Sequence, residues 1–159
     1  MSTERENMYK EFALASMGKR INMLFRLSMM NVRNEMKKLG FGAGDYAFIA
    51  MLLVREGLSQ DELSRKMRMD KSYTARALAK LEKAGMVERR PDPEEHRIKR
   101  VFIGEKTREI ESDFLNILVN WQKIITKDIK EDDLETVRSG MDKMITNAEA
   151  YLGLEKNEN

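Results

Sequence analysis

Proline limits this chain more than any other residue, because both of its prolines, Pro91 and Pro93, fall in one three-residue stretch. Proline lacks an amide donor and clashes with a helix interior, so long helices must lie on either side of that stretch. Both flanks carry apolar residues at helical spacing. From Met8 to Leu39 these are Phe12, Ala15, Ile21, Leu24, Phe25, Leu27, Val32, Met36 and Leu39. Glu105 to about Thr126 carries Ile110, Phe114, Ile117, Leu118, Trp121, Ile124 and Ile125. Asp132 to about Leu152 carries Leu134, Val137, Met141, Met144, Ile145, Ala148, Tyr151 and Leu152. Steps of three and four sustained over several turns predict amphipathic helices. The tail from Glu155 is polar and is expected to fray.

The middle of the chain is more finely divided. Gly40, Gly42 and Gly44 predict a loop, and Asp45 to Arg55 is apolar almost all round, the pattern of a helix buried on most faces. Gly57 is a stop. Ser59 with Glu62 three residues on is a capping box that opens a short helix carrying Leu63 and Met67. Asp70 is an N-cap for a second helix reaching about Ala84, with Gly85 at its end. On that helix Leu78 and Leu81 face inward with Thr74 and Ala77. Lys71, Ser72, Tyr73, Ala75, Arg76 and Lys80 remain outside. Met86 to Arg90 and Ile98 to Ile103 alternate as strands, joined by the charged hairpin tip Pro91 to Arg97. Two short helices with a tight turn, followed by a hairpin, form a winged helix-turn-helix. The expected class is therefore mainly α (α+β).

The net charge of +2 conceals an asymmetry. Residues 65–100 hold 12 Lys and Arg against 6 Asp and Glu, whereas residues 105–159 hold 8 against 13. Positive charge gathered in one segment is what phosphate binding requires. The chain has no cysteine, which removes disulfides, thiol nucleophiles and cysteine redox sensing, and makes a cytoplasmic setting the simplest reading. Met1 to Asn7 is polar and charged and does not read as a secretory signal. No apolar run of about 18 residues predicts a membrane span. No cofactor or metal site is expected: with His96 the single histidine, a metal would have to rest on carboxylates. Nor does an enzyme fit, since a Ser/His/Asp set, a Gly-rich phosphate loop and a metal cluster are all missing from the pattern. Asp132-Asp133 opens a helix, where carboxylates complement the dipole. The 13 methionines read mainly as core filler, and those along the first helix (Met17, Met23, Met29, Met30 and Met36) as a lining that can adapt to a ligand.

The basic second helix is suited to the major groove of double-stranded DNA, leading with its N-terminal residues. Ser72 and Tyr73 are placed to reach base edges or phosphates. Arg76 is suited to a bidentate contact with guanine or to a phosphate. Lys71 and Lys80 are suited to phosphates, which add affinity without sequence information. On the wing, Glu95, His96, Arg97 and Lys99 surround the tip, and Arg97 is the candidate for the minor groove. His96 reads as an exposed wing residue and Trp121 as core.

Asp61-Glu62-Leu63-Ser64, Asp70-Lys71-Ser72, Leu78 with Leu81-Glu82-Lys83-Ala84-Gly85, and Val87-Glu88-Arg89-Arg90-Pro91-Asp92-Pro93 together resemble the MarR family of bacterial and archaeal regulators. The likeness runs in one register from about Ser59 to Lys106, with flanking helices matching in order and length. The family wing motif, an acidic residue, any residue, then Arg, and later Leu-Thr, is here Glu95-His96-Arg97 and Ile103-Gly104. Glu95 stands for the usual Asp, which loosens its expected pairing with the wing arginine, Arg97. Gly104 stands for a Thr N-cap, a change worth only a few tenths of a kcal/mol. Arg68 stands where the turn often has Gly, and at positive φ it would carry about 1 kcal/mol or more of strain.

The resemblance implies a homodimer in which residues 1–40 and 105–155 form a helical dimerisation region and residues 45–104 the DNA-binding domain. Independently, the terminal helices have more apolar surface than a small central domain can cover. A twofold dimer reads a pseudo-palindrome with half-sites about one helical turn apart. The resemblance also implies repression, relieved by a small phenolic or aromatic carboxylate bound between dimer helices and winged domain, with Arg20, Arg89 and Arg90 as candidate partners by position; no local motif singles them out, and surface ion pairing is the favoured alternative for them. The alternative is a winged-helix module for protein–protein contact, which predicts a neutral or acidic recognition face.

Overall fold

The computed structural model describes residues 2–42 and 44–154. The tail from Glu155 and the side chain of Ala15 lie outside the described residues. The chain is mostly helical, with one three-stranded antiparallel sheet of order β1-β3-β2. The helices are α1 (Ser2–Ala15), α2 (Met17–Lys38), α3 (Tyr46–Val54), α4 (Gln60–Lys66), α5 (Lys71–Lys83), α6 (Glu105–Glu109), α7 (Glu111–Ile125) and α8 (Glu131–Tyr151). The strands are β1 (Leu58–Ser59), β2 (Val87–Pro91) and β3 (Lys99–Ile103). No helix among the described residues is long and apolar enough to cross a membrane.

Two expected long helices are broken. The periodicity from Met8 to Leu39 is interrupted at Ser16, whose hydroxyl caps α2 by accepting from the Lys19 amide at 3.2 Å. The run from Glu105 is interrupted at Ile110, which ends α6 and begins α7. Neither break changes the apolar spacing enough to be seen in it. The third strand was also unforeseen: Leu58 and Ser59 pair with Val101 and Arg100. This seats the capping box at the sheet edge. Pro91 is accommodated because it ends β2, an edge strand where a missing donor costs little.

The core is continuous across the winged unit and its flanking helices. Phe48, Ile49 and Leu52 of α3, Leu63 of α4, Leu78 and Leu81 of α5 and Val87, Val101 and Ile103 of the sheet pack with Val32 and Met36 of α2 and Phe114 of α7. Phe41 meets Phe114 edge-on at 5.4 Å. Trp121 is half-buried and donates from its indole nitrogen to the Ser28 hydroxyl at 3.0 Å, tying α7 to α2.

Two sequence departures acquire physical content. Arg68 does occupy the left-handed region, at φ 51°, so it carries strain of about 1–2 kcal/mol. Gly104 is constrained more tightly than an N-cap would be. A Cβ there would lie 2.4 Å from the Gly85 carbonyl oxygen and 2.9 Å from the Met86 carbonyl carbon. The β3–α6 junction has closed onto the end of α5, with the Gly104 amide donating to the Met86 carbonyl at 2.9 Å. The buried Thr107 hydroxyl donates to the same carbonyl at 2.8 Å. Glycine here is thus a packing requirement rather than a mild capping loss. Gly104→Thr should destabilise the chain by about 1–3 kcal/mol, the usual cost of overpacking. A urea midpoint unchanged or raised would contradict this contact.

Candidate nucleic-acid interface

The stripe Thr74, Ala77, Leu78 and Leu81 is buried on α5, at the i, i+3, i+4, i+7 spacing of one helix face. Asp70 caps the helix through its side chain, accepting from the Tyr73 amide at 2.9 Å. The Ser59–Glu62 box is complete at the start of α4, with the hydroxyl accepting at 3.2 Å and the carboxylate at 2.7 Å. With that stripe held inward, Lys71, Ser72, Tyr73, Arg76 and Lys80 are exposed and Ala75 is half-covered.

These residues are not equally available. Arg76 makes no hydrogen bond or ion pair among the described residues. Lys71 reaches Asp61 at 2.9 Å, with both side chains largely in solvent, where such a pair is worth about 0–1 kcal/mol and exchanges readily. Lys80 is held more firmly. Its ammonium lies 2.5 Å from the Asp45 carboxylate, which is almost fully covered at the start of α3. Gly42 abuts this pair so closely that a Cβ would meet both partners. Tyr73 is 38% exposed, but its ring tilts against Phe48 at 6.3 Å and its hydroxyl lies over Gly44. It is as much a brace between α5 and α3 as a surface residue.

The wing runs from β2 to β3 in the register Val87↔Ile103 to Pro91↔Lys99. Glu95, His96, Arg97 and Lys99 are all exposed, and Arg97 is unpaired among the described residues. The wing's acidic partner is Asp92 rather than Glu95, and its basic partner is Arg100 rather than Arg97. Asp92 is only 7% exposed and accepts from the amides of Glu94 at 2.8 Å and Glu95 at 3.0 Å. Arg100 donates to Asp92 at 2.6 Å, to Glu62 at 2.8 Å and to the Gly57 carbonyl at 3.2 Å. One guanidinium therefore joins the hairpin tip to the capping box of α4. Sequence reasoning missed this pair. The Asp92-Pro93-Glu94 run, typical of a side chain capping its own turn, was the local signal available for it.

The groove between wing and α4, about 330 Å³, is lined by Asp61, Arg89, Arg97 and Lys99. The wing arginine and the start of the helix-turn-helix thus share one concave surface.

Of the arginines expected around a ligand, Arg89 and Arg90 both line an open cavity of about 520 Å³ with Glu82 and Lys106, and Arg20 is not part of that lining. Arg20 donates to the Ser16 carbonyl at 3.2 Å. Arg89 and Arg90 point to opposite faces of β2, as neighbours in a strand must. Arg89 pairs with Glu82 of α5 through its Nε at 2.8 Å. Arg90 pairs with Glu88 at 2.8 Å and covers the Phe102 ring at 4.6 Å. Another cleft, about 670 Å³, lies between α3, α4 and α7. Tyr46, Met51, Val54, Met67 and Leu118 line it, with Arg55 and Lys66 among the lining. Burial raises the Tyr46 phenol above its ordinary pKa. Of the methionines along the first helices, Met29 and Met30 line a separate open cavity of about 620 Å³ with Arg33 and Lys37.

The electrostatics of the wing base follow from these contacts. The hydrogen bond from Arg100, then those from the Glu95 and Glu94 amides, hold the Asp92 carboxyl down to about 2. Burial works to raise the Glu62 carboxyl, but Ser59 and the charges of Arg100 and Arg65 outweigh it and hold it low. Because Asp92 ionises more readily folded than unfolded, its contribution is complete above the ordinary carboxylate pKa of about 3.9. It is lost as pH falls toward 2. Corrected amide exchange at Glu94 and Glu95 should stay flat from neutral pH to about 4 and rise below, and Asp92→Asn should abolish that dependence. A rise already present near pH 6 would place control of the wing elsewhere.

Comparison with known proteins identifies this arrangement. The profile of the MarR family matches residues 44–99, the helix-turn-helix and wing. A solved MarR transcriptional regulator from Methanosarcina mazei Go1 is 30% identical, with a TM-score of 0.76, covering 82% of this chain and 94% of that one. A putative MarR-family regulator from Listeria monocytogenes, solved in complex with a 26mer DNA, is 17% identical with a TM-score of 0.80, covering 89% and 98%. YybA of Bacillus subtilis (strain 168), described as an uncharacterized HTH-type transcriptional regulator, is 30% identical over 76 residues. That match takes in 48% of this chain and spans about half, 51%, of the relative.

Proposed function

The chain belongs to the MarR family of transcriptional regulators, and from that premise we propose that it is a homodimeric, sequence-specific DNA-binding protein of the cytoplasm. Residues 45–104 read the DNA, and residues 1–40 and 105–155 join the two copies. The observation that carries the reading is the outer face of α5, where an exposed Arg76, without a partner among the described residues, stands opposite the buried stripe. Arg97, likewise without a partner among the described residues, projects from the adjoining wing. Unengaged guanidiniums on two adjoining elements suit contact with guanine edges in the major groove and with a narrow minor groove. Ser72 adds a base or phosphate contact, and Lys71 exchanges Asp61 for a phosphate. Tyr73, Ala75, Glu95, His96 and Lys99 shape the same surface.

Dimerisation is supported by the apolar residues the single chain leaves uncovered. Phe12 of α1 is 70% exposed, Phe25 and Leu27 of α2 and Ile124 of α7 are exposed, and α8 presents Val137, Met141, Ile145 and Leu152 at steps of four and seven. None of the described residues of α8 is fully buried. Apolar faces on four helices require covering, and a twofold copy of the same faces is the natural cover. Such a dimer occupies a pseudo-palindrome and represses by blocking a promoter. The effector is a small aromatic carboxylate seated in the cleft between α3, α4 and α7, where apolar walls meet Arg55 and Lys66. To act, it must favour one separation of the recognition helices over another.

Titration against a selected duplex at several salt concentrations tests the reading. The wild type should show sequence preference and a steep fall of affinity with salt. Arg76→Ala should weaken specific binding by about 1–3 kcal/mol and nonspecific binding less. Lys80→Ala should change affinity less than Arg76→Ala, because Lys80 is already engaged by Asp45. Equal losses on every sequence would reduce Arg76 to a phosphate contact. Binding of protein but no nucleic acid at low salt would favour the protein–protein alternative.

A further inference from the structure

The turn between α4 and α5 raises a question that DNA contact does not answer: why a strained arginine stands in it. The turn is closed without the Arg68 side chain. The Arg68 amide donates to the Arg65 carbonyl at 3.1 Å and the Met69 amide to the Ser64 carbonyl at 3.0 Å. The Ser64 hydroxyl donates to the Met69 carbonyl at 2.6 Å. Glycine would satisfy this backbone without the Cβ strain that φ 51° imposes on arginine. A strained residue that persists where an unstrained one serves points to a task for its side chain.

That side chain leaves the turn for α8. Two Arg68 nitrogens donate to one Glu149 carboxylate oxygen, Nη2 at 2.7 Å and Nε at 3.3 Å. The partners are 81 residues apart, and their side chains are 28% and 14% exposed. Shielding of that degree makes the pair stronger and more directional than a solvent-exposed one. The other side-chain hydrogen bonds described for α8, Arg138 to Glu131 and Glu135 and Thr136 to the Asp132 carbonyl, stay inside the helix. Glu149 instead ties α8 to the turn two residues before Asp70, the cap of α5.

We infer that the Arg68–Glu149 pair is a positioning contact that sets the separation of the two recognition helices, and so the half-site spacing the dimer accepts. This rests on the proposed reading as a dimeric DNA-binding protein. α8 carries one of the uncovered apolar stripes assigned to the second copy, so its position is set by the dimer. The pair transmits that position to the turn, and the turn directs α5. Without the pair, the winged unit pivots more freely about its junctions with α2 and α7, and neighbouring spacings become nearly equivalent.

The test uses the full chain and a duplex selected by the wild type from a random pool, together with duplexes whose half-sites are one base pair closer or farther apart. The wild type should prefer the parent spacing. Arg68→Gly and Glu149→Gln should each narrow that preference, by about 2- to 30-fold on the scale of contacts that couple distant sites. The double variant should be no worse than either single one. Arg68→Gly should keep or raise the urea midpoint, because glycine relieves the backbone, which separates loss of positioning from loss of folding. Variants that retain the wild-type spacing preference, or whose effects add, would overturn the inference while leaving DNA binding intact. A wild type that binds no duplex would overturn the functional reading, and this inference with it.

Discussion

Burial of one face of α5 is the constraint on which the remaining structure depends. Thr74, Ala77, Leu78 and Leu81 cannot leave the core without exposing an apolar surface shared by α3, α4 and the sheet. Their being fixed leaves Arg76 and Lys71 no orientation but outward. The two caps at Ser59 and Asp70 make the helices begin where they do. The glycines at the end of α5 and at the start of α6 let the chain turn back closely enough to lay the wing beside it. The presented face is thus a consequence of packing, and its cations need no interaction of their own to hold them there.

The ion pairs around this face divide it into fixed and free charge. Asp45 holds Lys80, Glu82 holds Arg89, and Asp92 with Glu62 holds Arg100. Each of these acids covers a cation that stiffens a junction: α5 to α3, α5 to β2, and wing to α4. The cations left over are at the leading part of α5 and at the wing tip. A surface meant for a polyanion gains from this arrangement, because rigid junctions keep the free guanidiniums in place before the partner arrives. The acidic residues nearby also disfavour indiscriminate adhesion to phosphates.

The sequence made local features legible and left distant ones hidden. The capping box at Ser59, the cap at Asp70, the stop at Gly85 and the inward stripe of α5 are written within one or two turns and stand as expected. The fold class and the family likeness were legible for the same reason, since the helix-turn-helix and wing are contiguous. The breaks at Ser16 and Ile110 were not, because a one-residue interruption scarcely disturbs a helical repeat. Neither were the pairs that orient the site. Arg100 and Glu62 are 38 residues apart, Lys80 and Asp45 are 35 apart, and a single sequence gives no reason to match them. Arg89 and Arg90 pair with Glu82 and Glu88 from opposite faces of β2, so the surface ion pairing that stood against a ligand role is what their geometry displays. Gly104 looked like a weakened cap and is a close contact, a distinction that depends on the backbone of Gly85 and Met86.

The central claim is that two copies present their α5 helices in matching phase along one duplex. Hydroxyl-radical footprinting of the wild-type protein on a selected duplex, with the stoichiometry measured in the same solution, addresses it directly. The account predicts two chains per duplex and two symmetric protected windows whose centres lie about 10 base pairs, or a multiple of that, apart. A single chain per site, or one unpaired window of protection, would contradict it.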